Sequence, residues 1–278
     1  MKLAAGLAVL VTMAVAAVLA PWIAPAPDAV DLMARMAAPS AAHPLGTDEL
    51  GRDVLARLLH GGRVSLAVAA ATATLAAFAG TAIGLLAGFL GGRTDALLMR
   101  LTDGVMALPL LPLLIVLAAI DPIKLGISPE AMGSEGFAIG RIVVIIALVG
   151  WTTAARLVRA QALSVKARDY VRAAIALGAS PGRIMVRHIL PNAASPVVVA
   201  ATLSVGNIIL VESALSFLGL GIRPPLASWG NMLTGAMDVI TSAPQLALWP
   251  GLAILATVLA FNLAGDGLQE RWDPRRRL

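Results

Sequence analysis

Residues 169–191 read DYVRAAIALGASPGRIMVRHILP and differ sharply in composition from the sequence around them. They carry three Arg, one Asp and one His, whereas the chain of 278 residues is 59% hydrophobic and only 13% charged. Soluble domains carry about 25% charged residues, so the overall composition is typical of a membrane protein. The stretch therefore predicts a water-exposed segment between two membrane-spanning helices.

Two short helices that meet at a bend are predicted inside this stretch. The boundaries come from residues that cap or interrupt helices, in chain order Asp169, Gly178, Ser180, Pro181 and Pro191. The Asp begins a first helix over about 170–177, and the Gly ends it in a left-handed conformation. The Ser-Pro pair begins the second helix, and the last Pro limits its extension. A rigid bent segment is typical of a docking site for a soluble partner, whereas a cationic loop that only fixes topology needs no caps.

Six apolar stretches are long enough to cross a bilayer, which takes roughly 20 residues. They lie at about 3–24, 65–90, 101–120, 137–156, 195–220 and 246–267. We expect the first to be retained as a membrane helix, since it is longer than the core of a typical signal peptide. The third contains Asp103, Pro109 and Pro112, and the backbone groups freed by Pro need partners inside protein, so this helix should face its neighbours.

The second stretch carries a repeat of small residues. Gly80, Gly84 and Gly88 are spaced four apart, which puts them on one face of a helix. Small residues at this spacing let a second helix approach closely, so the repeat predicts a tight helix pair.

The distribution of Lys and Arg predicts that both termini lie in the cytoplasm. With the N-terminus inside, about two thirds of the 21 Lys and Arg fall in inside regions, among them Arg275, Arg276 and Arg277. The predicted fold class is therefore all-α, a polytopic membrane protein with six transmembrane helices and both termini cytoplasmic. The absence of Cys rules out disulfides and thiolate metal sites.

The segment 26–64 lies outside in this orientation and carries HPLGTDELGRDVLARLLHGGRVSL at 43–66. We expect Thr47 to cap an amphipathic helix with Asp48 and Glu49 in its first turn. Gly61-Gly62 should end this helix. Such a helix lies on the membrane surface or against the bundle. The residues of metal-ligating type here are His43, Asp48, Glu49, Asp53 and His60. They fall on different sides of a helix and a loop, so no metal site is expected.

RAAIALGASPGRIMVRHILP at 172–191 resembles the signature loop of ATP-binding-cassette importer permeases, whose pattern is EAA, three residues, Gly, nine residues, Ile, one residue and Leu-Pro. The positions that match are Ala173, Ala174, Gly178, Leu190 and Pro191. Arg172 stands where the family has Glu, and His188 where it has Ile. Three further stretches, at 43–66, 216–233 and 249–274, resemble the C-type subunit of the dipeptide, oligopeptide and nickel branch.

The resemblance implies a permease subunit of an ATP-driven importer for di- or oligopeptides, or for a related small solute such as nickel, in the bacterial inner membrane. The residues it implies for ATPase coupling are Arg172, Ala173, Ala174, Gly178, Ser180, Pro181, His188, Leu190 and Pro191. The implied partners are a second permease subunit in a heterodimer, two cytoplasmic ATP-binding-cassette ATPases, an external solute-binding protein and membrane lipid, with no nucleic acid. Residues 1–64 would form the first helix with its external segment, and 65–278 the five-helix permease domain with a coupling loop at 157–192.

No phosphate-binding loop of the form GxxxxGK[ST] occurs in the sequence. ATP and Mg²⁺ are therefore expected on the partner ATPases, with no cofactor and no enzymatic site in this chain. A secondary transporter driven by an ion gradient is an alternative, and such proteins often carry internal repeats, of which we find none convincing. An intramembrane enzyme is a third possibility, but His43, His60 and His188 all lie outside the predicted spans.

Two polar residues inside the fifth stretch are candidates for the translocation path. Glu212 lies mid-helix, where a charge costs about 2.5–3.5 kcal/mol, so it should face the bundle or a water-filled path. Two roles of Glu212 remain open: a contact with the translocation path or another subunit, and a structural hydrogen bond to a neighbouring helix. Asn207 lies about one and a half turns earlier and need not share that face.

Overall fold

The computed structural model of the chain describes residues 1–272 and is built from helices. Its longer helices are α1 (Lys2–Ile23), α2 (Val54–Leu90), α3 (Gly92–Ala107), α4 (Leu110–Ala119), α5 (Glu135–Lys166), α6 (Asp169–Ala176), α7 (Pro181–Phe217), α8 (Trp229–Met237) and α9 (Gln245–Trp272). One-turn helices lie at Leu32–Ala34, Pro122–Leu125 and Pro129–Met132. Within the described part, extended pairing is confined to an isolated bridge between Thr47 and Asp53. The all-α class is thus confirmed, while Arg275, Arg276 and Arg277 lie outside the described residues.

Five helices are long and apolar enough to cross a membrane, namely α1, α2, α5, α7 and α9. Helices α3 and α4 pass the same test only together, and they are bent by 92° at their junction. Pro109 causes this break, since it offers no N–H to continue α3 and holds Leu108 in an extended conformation with ψ 140°. The span predicted at 101–120 is therefore a bent pair, and residues 1–272 hold five candidate spans, or six when the pair counts as one.

Helices α2 and α5 form the tight pair that the glycine repeat predicts. A Cβ added at Gly84 would lie 2.8 Å from Val158 Cβ, and one added at Gly88 would lie 2.5 Å from Ala162 Cβ. Because residue numbers rise together along both helices, the pair is parallel and the C-terminal ends lie side by side. The main hydrophobic core lies beside this pair, where α2, α5, α7, α8 and α9 meet.

Helix α2 begins later and runs further than the sequence predicted. Thr47 does not cap it; Asp53 does, and its Oδ1 accepts from the N–H of Ala56 at 2.7 Å. Gly61-Gly62 does not end the helix either, because both residues are buried against Ser228 and Trp229 and serve close packing. The expected boundary between residues 64 and 65 therefore falls inside one continuous helix.

Pro191 does not limit the helix that follows the bend. Helix α7 runs through it from Pro181 to Phe217, with a π-helical turn at Met185–Ile189. In this turn the N–H of Leu190 donates to the carbonyl of Met185, five residues back. A widened turn directly before a Pro relieves the clash between the Pro ring and the carbonyl four residues back, so the helix continues.

Candidate functional site

The segment of residues 167–181, which we name the elbow, joins α5 to α7 through α6 and a sharp bend. Gly178 has φ +79°, and the N–H of Ala179 donates to the carbonyl of Ala174 at 3.0 Å. The predicted left-handed Gly is thus confirmed. Ser180 is the N-cap residue of α7 and Pro181 its first residue, as predicted. Asp169 does not cap α6; Arg168 occupies the N-cap position, without a side-chain capping hydrogen bond. The carboxylate of Asp169 lies in the first turn, at the positive end of the helix dipole.

The inner face of the elbow region is fixed by a small hydrophobic core. Val171, Ile184 and Ile189 are fully buried, and they pack with Val158 and Val165 of α5. Burying such side chains contributes about 1.5–3 kcal/mol each, so the bend is held against the bundle rather than free in solvent. The elbow is therefore firmly attached to α5 and α7.

The elbow also exposes apolar side chains to solvent. Leu177 at the tip is 88% exposed, and Ile175 and Tyr170 are 44% and 45% exposed. Arg172 in the elbow and Arg183, two residues after it, are exposed as well. Exposed apolar side chains in a segment that also carries exposed charges are a feature of many protein docking sites. These apolar residues were missed in the sequence, although their presence in a charged stretch was a signal that could have found them.

The coupling residues predicted from the sequence fall into two groups. Those brought together on the elbow are Arg172, Ala173, Ala174, Gly178, Ser180 and Pro181. His188 lies within the π-helical turn of α7, and Leu190 and Pro191 directly follow that turn. The ring centroid of His188 lies 6.0 Å from that of Tyr170, so His188 helps to hold α6 against α7.

Polar contacts attach the neighbouring helix ends to one another. Lys166 Nζ at the end of α5 donates to the carbonyl of Phe89 near the end of α2 at 2.5 Å and lies 5.2 Å from the centre of the Phe89 ring. Arg159 binds Asp95 of α3 through two nitrogens, and Arg156 lies 2.5 Å from Asp103, also of α3. The helices around the elbow therefore form one connected unit.

A cavity of about 560 Å³ lies among α2, the α3–α4 break, α5 and α7. Its polar lining residues are Thr152, Thr153, Ser204 and Asn207, and among the described residues that line it none is charged. The hydroxyls of Thr152 and Ser204 donate to backbone carbonyls of their own helices. Thr153 and Asn207 make no side-chain hydrogen bond among residues 1–272, and the exposed amide of Asn207 offers the cavity both donors and an acceptor.

Glu212 lies apart from this cavity and is completely buried. Ser216 donates to its Oε1 at 2.7 Å and Ser65 of α2 to its Oε2 at 3.1 Å. The hydroxyl of Ser65 in turn accepts from the backbone N–H of Trp229, at the start of α8. Glu212 therefore makes a structural hydrogen bond to a neighbouring helix, one of the two roles considered above. Through these bonds it connects α2, α7 and α8.

Comparison with known proteins gives a family and several relatives that are all named as components of transport systems or as permeases. The family described as binding-protein-dependent transport system inner membrane component matches residues 80–278. A Brucella suis protein whose name is that of a peptide permease is 44% identical over 92% of this chain and 81% of its own length. The di/tripeptide transport system permease protein of Pseudomonas aeruginosa is 39% identical over 97% of this chain and 87% of its own length. The glutathione transport system permease protein of Pectobacterium atrosepticum is 41% identical over 85% of this chain and 74% of its own length.

A solved structure shares the fold. It is an amino acid ABC transporter crystallised with histidines, and it matches with a TM-score of 0.52 at 20% identity, over 80% of this chain and 94% of its own. At that identity the match supports the helical architecture described above.

Proposed function

Because this chain belongs to the family of binding-protein-dependent transport system inner membrane components, we propose that it is the C-type permease subunit of an ATP-driven importer for di- or oligopeptides. ATP would be bound and hydrolysed with Mg²⁺ by two cytoplasmic ATPase subunits. An external binding protein would deliver the solute, and a second permease subunit would complete a heterodimer. The relatives named for dipeptide, di/tripeptide and glutathione transport support a short peptide or a similar small solute.

The elbow is the observation that carries this proposal. It exposes Leu177 and Ile175, with exposed Arg172 before them and exposed Arg183 after them in the chain, which suits a cleft on a soluble partner with an apolar floor and an acidic rim. Val171 in the elbow and Ile184 just after it are packed into the bundle. A rigid element of this kind would pass movement of an ATPase dimer to the membrane helices, whereas a flexible linker would absorb it.

The solute would pass along the cavity that Asn207 lines. This cavity reaches the break between α3 and α4 and lies beside α5, which leads directly into the elbow. Movement of the elbow would therefore change the shape of the cavity wall. Glu212 would stabilise the subunit beside this path instead of contacting the solute.

A substitution at Gly178 tests the proposal. A β-branched side chain cannot adopt φ +79° without strain, so Gly178→Val should deform the bend, although a Cβ there meets no neighbour within 4 Å. Gly140→Val is the matched control, since Gly140 also has open space around it but has ordinary helical geometry. We expect Gly178→Val to insert into the membrane normally and to lose ATP-dependent peptide uptake by the complete importer, with uptake by the control unchanged.

Normal uptake by the Gly178→Val importer would contradict the role of the elbow. Uptake by the unmodified complex that follows an ion gradient and continues without ATP would contradict the importer class itself.

A further inference from the structure

A second cavity, of about 230 Å³, lies at the end of the bundle opposite the elbow. The parallel helices α2 and α5 have their C-terminal ends beside the elbow, so the first turn of α2, which lines this cavity, is at the far end. The rest of the lining comes from the loop before α2 and from the region between α7 and α9. The charged lining residues are Asp48, Glu49, Arg52, Arg57 and Arg223.

Arg57 is the buried guanidinium of this set with most of its hydrogen-bonding capacity unused. It is only 5% exposed, and its one close polar partner among residues 1–272 is Asp48, whose Oδ2 lies 3.3 Å from Nη1. A guanidinium carries five N–H donors, and donors inside folded proteins are nearly always paired with protein or with water. The guanidinium nitrogens of Arg57 are not among the fully buried unpaired atoms of the described residues, so its remaining donors are open to the cavity, where water or a ligand can accept from them.

The acceptors already present are largely used. Asp48 accepts from Arg52 Nε at 2.8 Å and from two backbone N–H groups, and Glu49 accepts from Arg52 Nη2 at 3.3 Å. The exposed Arg223 donates its Nε to the carbonyl of Gly219, which leaves its terminal nitrogens for the cavity. Three guanidinium groups thus face two carboxylates in the lining, while the carboxylate of Asp53 caps the first turn of α2.

We propose that this cavity binds a carboxylate that arrives from the outer side of the membrane, with Arg57 and Arg223 as its donors. A guanidinium matches a carboxylate with two parallel hydrogen bonds, and the attraction is strong where water is excluded. The volume admits one side chain or the end of a short peptide. The carboxylate would belong either to the C-terminus of a solute peptide or to an Asp or Glu side chain of the external binding protein.

The test uses the complete importer, in proteoliposomes for uptake and in nanodiscs for binding, and therefore rests on the proposed function. Arg223→Glu and Arg57→Lys are compared with Arg63→Glu, an exposed residue of α2 that does not line the cavity. Arg57→Lys keeps the charge that pairs with Asp48 and removes the planar fork. One arm measures the KM for uptake of dialanine and of dialanine amide. The other measures the Kd of the binding protein for the complex without ATP.

A carboxylate on the solute predicts that Arg223→Glu raises the KM for dialanine about tenfold or more and leaves that for the amide within about twofold. A carboxylate on the binding protein predicts instead a similar rise in its Kd. Arg57→Lys should raise the same constant as Arg223→Glu does, and Arg63→Glu should change neither the KM nor the Kd. If both pocket variants match the unmodified importer in both arms, the cavity holds water only and the proposal is wrong. Failure of the unmodified subunit to support any ATP-dependent uptake would instead contradict the proposed function.

Discussion

Arg159 of α5 binds Asp95 of α3 with two nitrogens of one guanidinium: Nε lies 2.5 Å from Oδ1 and Nη2 2.6 Å from Oδ2. Three residues earlier on α5, Arg156 makes a single contact of 2.5 Å with Asp103. Since α5 continues into the elbow, these two pairs fix α3 to the element that would carry force from the ATPase. The two-nitrogen pair is also the less exposed, so it should contribute more to the attachment.

Loss of the Asp95 carboxylate should therefore cost more stability than loss of the Asp103 carboxylate. We expect Asp95→Asn to lower the free energy of unfolding by about 1 kcal/mol, and Asp103→Asn by less than about 0.5 kcal/mol, because solvent screens the exposed pair. Thermal unfolding of the purified subunit in detergent measures both. Equal shifts in Tm for the two variants would show that the two-nitrogen geometry adds nothing.

Glu212 should respond to the loss of its hydrogen bonds and not to the loss of its charge. Glu212→Gln keeps oxygen and nitrogen partners for Ser65 and Ser216, so uptake should stay within about twofold of the unmodified importer. Glu212→Leu leaves these buried hydroxyls without their acceptor and should destabilise the subunit by about 1–3 kcal/mol. Uptake at several solute concentrations and thermal unfolding separate the two effects. A large loss of uptake by the Gln variant, with its stability unchanged, would assign Glu212 to the translocation path instead.

Features that depend on short-range rules were predictable from the sequence. The left-handed Gly178 and the cap position of Ser180 follow from which residues tolerate those conformations, whatever the rest of the chain does. The repeat from Gly80 to Gly88 predicted a close helix pair because only small side chains allow that approach. The family resemblance was likewise carried by local motifs.

Other features depend on contacts between distant residues and could not be predicted in this way. Thr47 has the residue type of a cap, but it pairs with Asp53 in an isolated bridge, and Asp53 takes over the cap. Gly61 has the residue type of a helix end, but Ser228 packs against it from the other half of the chain. The two cavities are likewise assembled from helices far apart in sequence, which periodicity along the chain does not reveal.

Asn207 should matter more for uptake than Ser204, which lines the same cavity. Its amide is free to pair with a passing solute, whereas the hydroxyl of Ser204 already donates to the carbonyl of Ala201. We therefore expect Asn207→Leu to lower the rate of peptide uptake about tenfold and Ser204→Ala to change it by less than about twofold, since a lost hydrogen bond costs about 1 kcal/mol or more where water is excluded. Initial rates in proteoliposomes measure this. Equal rates for the two variants would place the solute path elsewhere.

The close approach of α2 and α5 predicts a steep response to added volume at one glycine and a weak response at another. A Cβ at Gly84 would lie 2.8 Å from Val158 Cβ, and backbone atoms of α5 stand equally close, so Gly84→Ala should force the helices apart and destabilise the subunit by about 1–3 kcal/mol. Gly150→Ala is the matched control, because its Cβ would meet Ala76 Cβ at an ordinary 3.5 Å. Thermal unfolding and the yield of assembled subunit measure both variants, and the control should fold as well as the unmodified chain or better, since Ala favours a helix over Gly. If Gly84→Ala were as stable as Gly150→Ala, the two helices could separate at little cost, and the elbow would then lack the rigid support on which its proposed role depends.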